Sequence, residues 1–314
     1  MISFLRTSMK RQNPDLKRAP QTSLRKPLDI VIKTRKRDLV TYLQLQTDLA
    51  NHCDFAGNIY IIVPRKDIDQ FKGIVQKSFI LVSSEEVLAS VAYSGKFPDT
   101  WLTQQIIKML SANLVAHEHY LILDSNTLIG FNFNEEFFLH DAEYVYAVGE
   151  FSDAVWELQS RNLLKLQKPG RIYGFRAVNQ IFNKENVKQL VSYLVDLYKA
   201  NIVTVLLKYS DERCTEYWAE YALYGVFVRC VLTEPLHHFT ERHDLISFNF
   251  KTDFSRFLLQ VAKEQPLMIK LYKRRPTYEL SDGAYAKYVA EIKALYDRRA
   301  KMARIRVPYN PTAT

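Results

Sequence analysis

Short aliphatic runs alternate with segments of helical periodicity over the first part of the chain. Residues 28–34, 59–64 and 119–124 are dense in aliphatic side chains, which is typical of strands that are buried on both faces. Between the first two runs, apolar residues recur at the spacing of an amphipathic helix. A strand, a helix and a second strand in this order predict a βαβ unit with a parallel sheet, so we predict an α/β fold.

Further along, the pattern predicts several helices. A segment that begins at Trp101 has one apolar face, and residues 281–306 form a basic amphipathic helix. The apolar run at 226–231 is rich in valine and is predicted to be a strand. We expect a flexible basic lead-in over residues 1–27, one domain over residues 28–250 and a C-terminal helical extension over residues 251–314.

Polar residues follow the strand predicted at 119–124. Asp124 and Asn126 lie two positions apart, so in an extended segment their side chains project to the same side. In open α/β sheets ligands bind at the carboxyl ends of the strands, and two such oxygen ligands could hold a hard cation against a phosphate. A turn that only ends a core strand would have the same composition, and that alternative stays open.

Composition narrows the class of protein. With 314 residues, 47% of them hydrophobic, the chain can bury the core of one large or two small domains. It has no apolar run of about 18 residues and no signal-peptide pattern. Its three widely spaced cysteines argue against a disulfide framework or a zinc site. These observations predict a cytoplasmic protein.

Positive charge is concentrated at the two ends. Residues 1–37 hold eleven Lys/Arg and two Asp/Glu, and residues 268–314 hold eleven and four. Because the whole chain carries +9, the middle carries about −7. Basic ends around an acidic body suit an anionic membrane surface at least as well as nucleic acid, although such tails can also serve solubility alone. We expect no nucleic-acid partner and a peripheral contact at the inner membrane face.

Several common catalytic motifs are missing from the sequence. It contains no Gly-x-Gly-x-x-Gly, no Walker-type Gly-Lys-Ser/Thr, no Gly-x-Ser-x-Gly and no His-Glu-x-x-His. Nine glycines in the whole chain also disfavour a glycine-rich phosphate loop. If phosphates bind, a metal ion and Lys/Arg side chains must take the place of backbone amides.

Five short segments support a resemblance to a known family. They are Asp29-Ile30-Val31-Ile32-Lys33-Thr34 with Arg37-Asp38, Trp101 with Gln104, Gln105 and Lys108, Tyr120-Leu121-Ile122-Leu123-Asp124-Ser125-Asn126, Asn179-Gln180-Ile181-Phe182-Asn183-Lys184, and Glu220-Tyr221-Ala222-Leu223-Tyr224-Gly225. In this order they resemble uncharacterised bacterial glycosyltransferase-like proteins of capsule and lipopolysaccharide loci, over roughly residues 28–240. The resemblance implies a GT-A-like single domain with a mixed, mostly parallel central sheet.

The family resemblance also implies a metal site. A GT-A enzyme uses an Asp-x-Asp motif to hold Mn²⁺ or Mg²⁺ against the diphosphate of a nucleotide-sugar donor, and Asp124 matches its first position. The second position is Asn126, whose amide oxygen would bind a cation more weakly. Metal-independent transfer or loss of activity therefore stays open. His238 is expected to complete the metal shell, unless it is an ordinary loop histidine.

The remaining site residues follow from the same resemblance and from their chemistry. Glu220 is the carboxylate expected to act as a base on the acceptor hydroxyl, with a structural ion pair as the alternative. The loop after the first strand is expected to meet the nucleotide, and Lys108 is expected to neutralise a phosphate. A solvated loop and a surface lysine are the alternatives. The expected donor-binding residues are Thr34, Asp38, Gln104, Gln105, Lys108 and Asp124.

The sequence thus predicts a metal-assisted glycosyltransferase. It would move a sugar from a nucleotide-sugar donor to a surface polysaccharide or a lipid-linked acceptor, and its basic C-terminal helix would contact the anionic inner leaflet. The alternative is a catalytically weakened GT-A-like module that binds a glycan or a partner without turnover.

Overall fold

The computed structural model describes residues 26–98, 100–130, 132–140, 143–144, 146–148, 154–166, 180–209, 218–233, 239–241, 245–248, 268–271, 274–275, 278–279 and 281–305. The predicted lead-in of residues 1–27 lies almost wholly outside these ranges. The strands are β1 (Leu28–Lys33), β2 (Ile59–Val63), β3 (Ile80–Ser83), β4 (His119–Asp124), β5 (Thr127–Ile129), β6 (Leu139–His140), β7 (Glu143–Tyr144), β8 (Tyr146–Val148), β9 (Ile181–Asn183), β10 (Phe239–Glu241), β11 (Leu245–Phe248), β12 (Met268–Leu271), β13 (Arg274–Arg275) and β14 (Tyr278–Glu279). The α-helices are α1 (Leu39–His52), α2 (Ile68–Lys72), α3 (Ser84–Ala89), α4 (Trp101–Leu110), α5 (Ala154–Leu163), α6 (Lys184–Tyr198), α7 (Ile202–Lys208), α8 (Glu220–Cys230) and α9 (Asp282–Ile305).

The central sheet has five strands in the order β3-β2-β1-β4-β9. The first four are parallel to one another, and β9 runs antiparallel to β4. The prediction of an α/β fold with a mixed, mostly parallel sheet is therefore confirmed. Lys33 is the register partner of Asp124 across β1 and β4, so the ends of these two strands lie side by side.

Both faces of the sheet are covered, which is why its central strands are continuous aliphatic runs rather than alternating ones. Along β4, Tyr120 and Ile122 belong to a core shared with α4, α6, α7 and α8. Leu121 and Leu123 point to the other face and pack with residues of α1. This alternation sends the next side chain, that of Asp124, to the face covered by α4 and α8.

The strand predicted at 226–231 is wrong, because residues 220–230 form α8. Every residue of this helix from Glu220 to Val228 is buried. When a segment is buried all round, its apolar pattern has no period, and a valine-rich run then looks the same in a strand and in a core helix. The tertiary surroundings decide between the two.

β4 and β5 belong to different sheets. Ser125 and Asn126 form the turn between them, after which β5 pairs with β12 in a three-stranded sheet of order β11-β12-β5. The chain thus departs from the central sheet at Asp124. The carboxyl end of β4 therefore lies at the side of the sheet where the parallel strands end.

The predicted C-terminal amphipathic helix exists as α9, and its apolar face is covered by the protein. Tyr285, Val289 and Ile292 are buried, and Lys293 forms an ion pair with the fully buried Asp48 of α1. In the described part of the chain, no single helix is long and apolar enough to cross a bilayer; α6 and α7 together reach that length and composition but are bent by 75°.

Candidate active site

The carboxyl ends of β1, β2 and β3 border a cleft of about 290 Å³. Lys33, Pro64 and Ser84 line it from these three strand ends, and Thr103 of α4 lines it from the helical layer. Ser84 is buried, and its hydroxyl has no hydrogen-bond partner among the residues that the structure describes. Lys33, Ser84 and Glu85 therefore bring polar or charged residues to this cleft, at the edge where open α/β sheets bind ligands.

Next to the cleft, a lysine lies between two carboxyl groups. Lys108 of α4 donates one hydrogen bond to Asp124 Oδ1 and a second one to Glu220 Oε1 at 3.2 Å. Its ammonium also lies 5.6 Å from the ring centroid of Tyr221, within the range of a cation–π contact. Three elements distant in sequence, α4, β4 and α8, thus meet at this lysine.

Local sequence explains how α4 and α8 present these side chains. α4 begins with a capping box. The side chain of Thr100 accepts from the backbone N–H of Thr103, and the side chain of Thr103 accepts from the backbone N–H of Thr100, which satisfies two helix-end donors. The apolar face of α4, which includes Ile106, packs on the sheet. Lys108 lies further along α4 and contacts Asp124 at the end of β4. Glu220 is the first residue of α8, where the positive end of the helix dipole favours a carboxylate.

Burial and charge act in opposite directions on Lys108. Burial alone lowers the pKa of an ammonium, but the carboxylates of Asp124 and Glu220 outweigh it and hold the pKa of Lys108 well above its ordinary value. Only 3% of Lys108 is exposed. Lys108 is therefore a permanent, desolvated cation held in one position.

Glu220 is the most enclosed group of the cluster. Burial raises the pKa of its carboxyl above the ordinary value, and Lys108 only partly offsets this effect. Its Oε2 atom is buried without a hydrogen-bond partner in the described ranges. With 1% of its surface exposed, Glu220 lies behind Lys108, whereas Asp124 keeps partial access to solvent.

The other predicted site residues lie in separate places. Thr34 is buried directly after β1, and its hydroxyl has no partner among the described residues. Asp38 is an ion-pair partner of Arg35, with 3.1 Å between its Oδ2 and the arginine Nε. Gln105 is buried and donates its amide N–H to the carbonyl of Trp101 at 3.3 Å, so its amide bonds its own helix.

The rest of the predicted set is less enclosed. Gln104 is half-buried on α4, and Asn126 is half-buried in the turn after β4. His238 lies outside the described residues. The structure therefore brings together Lys108, Asp124 and Glu220 from the predicted set, and their functional roles stay predictions.

Lys33 and Ser84 were missed from the sequence, although both line the cleft. Lys33 ends the first strand, and only the register that pairs it with Asp124 places it on the same face of the sheet. Ser84 could have been found only from its place directly after β3, and the sequence does not show clearly that β3 ends at Ser83.

The fit of a divalent metal can be judged from the donor groups. Asp124 and Asn126 would offer one carboxylate and one amide, and the carboxylate already accepts from the ammonium of Lys108. Within the described ranges, no group of three or more His, Cys, Asp or Glu side chains could hold a metal ion. The described residues therefore do not fit the divalent metal that the Asp-x-Asp resemblance implies.

Comparison with known proteins gives a family. A family model with the description "Family of unknown function (DUF6492)" matches residues 30–255. The chain belongs to the DUF6492 family. Among curated proteins, none matches this DUF6492 chain.

The solved structures similar to this DUF6492 chain include several glycosyltransferases. Mouse xyloside xylosyltransferase 1 is 12% identical with a TM-score of 0.41, over 78% of this chain and 97% of that one. The glycosyltransferase GlyE of Streptococcus pneumoniae TIGR4 is 10% identical with a TM-score of 0.44, over 89% and 64%. The galactosyltransferase LgtC, in complex with donor and acceptor sugar analogs, is 10% identical with a TM-score of 0.46, over 86% and 96%.

Proposed function

We propose that this DUF6492 protein is a glycosyltransferase with a GT-A-like fold that takes its sugar from a nucleotide-sugar donor. The observation that carries the proposal is the arrangement at the sheet edge. Asp124, at the end of β4, lies beside Lys33, and Lys33 lines the cleft formed by the ends of β1, β2 and β3. This is the edge of an α/β sheet at which nucleotides bind.

The chemistry of sugar transfer suits these groups. The bond between the anomeric carbon of the sugar and the diphosphate oxygen breaks, and a new bond forms between that carbon and an acceptor hydroxyl oxygen. The bonding electrons leave with the nucleoside diphosphate, so negative charge grows on its terminal phosphate and a nearby cation stabilises it. Lys33 is a cation that lines the cleft.

The acceptor hydroxyl must also lose a proton, and Glu220 is the residue predicted to take it. Its burial behind Lys108 favours a different role, which is to hold that lysine in place. Asp124 is the more accessible carboxylate of the two. We therefore propose that the acceptor proton passes to Asp124, with Glu220 holding Lys108 from behind.

Metal assistance by Mn²⁺ or Mg²⁺ at Asp124, Asn126 and His238 stays a prediction. The donor groups within the described ranges do not fit such an ion, and no step of the proposed reaction is assigned to it.

The acceptor and the cellular site are part of the same proposal. We expect a surface polysaccharide or a lipid-linked glycan of a capsule or lipopolysaccharide pathway, met in the cytoplasm at the inner membrane face. Because the apolar face of α9 is buried, a membrane contact would use charged outer residues such as the exposed Lys287.

The direct test combines binding and turnover. Purified protein is screened for thermal stabilisation by UDP, GDP and CDP, and then for slow hydrolysis of the matching nucleotide sugars. We expect Asp124→Asn to lower hydrolysis by about 100-fold, and the control Asp69→Asn, at an exposed pair with Lys72, to leave it unchanged. No stabilisation by any nucleotide would overturn the proposal.

A binding module without turnover is the second candidate, and Asn126 in the second acidic position favours it. It predicts stabilisation by a nucleotide or a glycan together with no hydrolysis, even after long incubation. The same screen therefore separates the two functions.

A further inference from the structure

The charges around Asp124 are balanced by side chains of the protein. Lys108 is the ion-pair partner of Asp124. Lys33, the register partner of Asp124 on β1, donates from its ammonium to the Thr34 carbonyl oxygen at 2.9 Å. The facing carboxyl groups are those of Asp124 and Glu220. Asp124 is therefore already paired with a cation of the protein, which a divalent ion would have to displace.

The position of the Lys108 ammonium is fixed by its surroundings. It contacts both carboxyl groups at once, and α4 and α8 bury it almost completely. Moving it aside would leave a desolvated cation without its partners, which is strongly unfavourable. A divalent ion bound to Asp124 Oδ1 would have to displace this ammonium or lie against it, and like charges at such a distance repel strongly in a poorly solvated site.

We propose that donor binding by this protein needs no divalent metal, because Lys108 occupies the cation position against Asp124 and Lys33 meets the diphosphate. This inference rests on the proposed function, since it concerns how the same cleft holds the donor. It assigns Glu220 as a positioning residue, which holds Lys108 from behind and does not touch the substrate.

The two lysines have different tasks in this scheme. Lys108 cancels the charge of Asp124, so that a diphosphate can approach the end of β4 without repulsion. Lys33 lines the cleft and supplies attraction to the phosphates as a point charge. Both cations belong to the protein and do not exchange into solvent.

The first experiment uses the unaltered protein. Binding of UDP, GDP and CDP is measured by titration calorimetry in EDTA and again in Mn²⁺. We expect the dissociation constant of the preferred nucleotide to change by less than about fivefold, which is about 1 kcal/mol. A weakening of about fivefold or more in EDTA would overturn the inference while leaving the proposed function standing.

The second experiment titrates MnCl₂ alone, without nucleotide. We expect no binding to the unaltered protein and new Mn²⁺ binding to Lys108→Met, in which Asp124 and Glu220 face each other without a cation. Lys72→Met, which removes an exposed lysine paired with Asp69, is the matched control and should behave like the unaltered protein. Mn²⁺ binding by the unaltered protein that Asp124→Asn abolishes would overturn the inference.

Two further results separate the possible failures. If no nucleotide binds in either buffer, the proposed function falls and the inference falls with it, whereas nucleotide binding only with Mn²⁺ removes the inference alone. If Lys108→Met does not fold, the double variant Lys108→Met/Asp124→Asn removes both charges and should fold without binding Mn²⁺. The calorimetry on the unaltered protein decides the inference in that case.

Discussion

The ion pair between Asp48 and Lys293 should couple the C-terminal helix to the stability of the α/β domain. Asp48 is fully buried in α1, where its carboxylate accepts from the Gln44 amide at 2.8 Å and from the Ile129 backbone N–H at 3.2 Å. Lys293 of α9 is the charged partner that the structure gives it. The variant Lys293→Met keeps the length of the side chain and removes its charge.

The size of the effect follows from burial. Removing one partner of a buried pair costs about 3–5 kcal/mol, because the other charge is left uncompensated. The two neutral donors remain, and about a third of the Lys293 side chain is exposed, so water replaces part of the lost interaction. We therefore expect Lys293→Met to lower the free energy of unfolding by about 2 kcal/mol, which corresponds to about 5 °C in Tm.

Urea and thermal unfolding followed by far-UV circular dichroism would measure this. Asp48→Asn removes the buried charge, so adding Lys293→Met to it should cost less than in the unaltered protein, with a coupling of about 1.5 kcal/mol. The surface pair of Lys188 and Glu185, joined at 2.7 Å, is the control, and Lys188→Met should cost less than about 0.5 kcal/mol. If Lys293→Met costs no more than this control, or if the two changes are additive, the reasoning is refuted.

Two further predictions concern the stability of the central sheet and of α3. Gly57→Ala should lower the free energy of unfolding by about 3 kcal/mol, because the new Cβ would lie 2.2 Å from the Leu28 carbonyl oxygen. Gly73→Ala, with open space around the new Cβ, is the control in the same urea series. Equal losses of stability in the two variants would contradict the prediction. Ser83→Ala removes the capping box that Ser83 forms with Glu86 at the start of α3 and should cost about 1 kcal/mol. Hydrogen bonds from Ser83 lower the pKa of Glu86. The stabilisation is therefore present above the ordinary glutamate pKa and is lost as the pH falls through the lowered pKa. If Ser83→Ala lowers the free energy of unfolding equally at pH 7 and at pH 3, this prediction is contradicted.

The fold class could be predicted because the strands of a parallel sheet covered on both faces have a recognisable local sequence pattern. The runs that became β1, β2 and β4 are continuous and aliphatic since both of their faces are buried. Strand direction then places Asp124 at the ligand-binding edge. The periodicity of residues 281–306 also predicted the helix that the structure shows as α9.

What covers a face cannot be predicted in this way. The apolar side of α9 fits a membrane and a protein core equally well by composition. Only the structure shows that this side is buried and that Lys293 pairs with Asp48 of α1. The same limit explains the wrong strand at 226–231, since complete burial removes the period that separates a strand from a helix.

The sequence by itself therefore determined which segments form the central strands, that β4 ends in polar residues, and which residues are candidates for the site. Only the tertiary structure decided that Asp124 and Glu220 meet at Lys108, which lies 112 positions before Glu220 in the chain. The reason is physical: strand and helix patterns are set by neighbours within a few residues, whereas the partner of a buried charge is set by which helices cross the sheet above it.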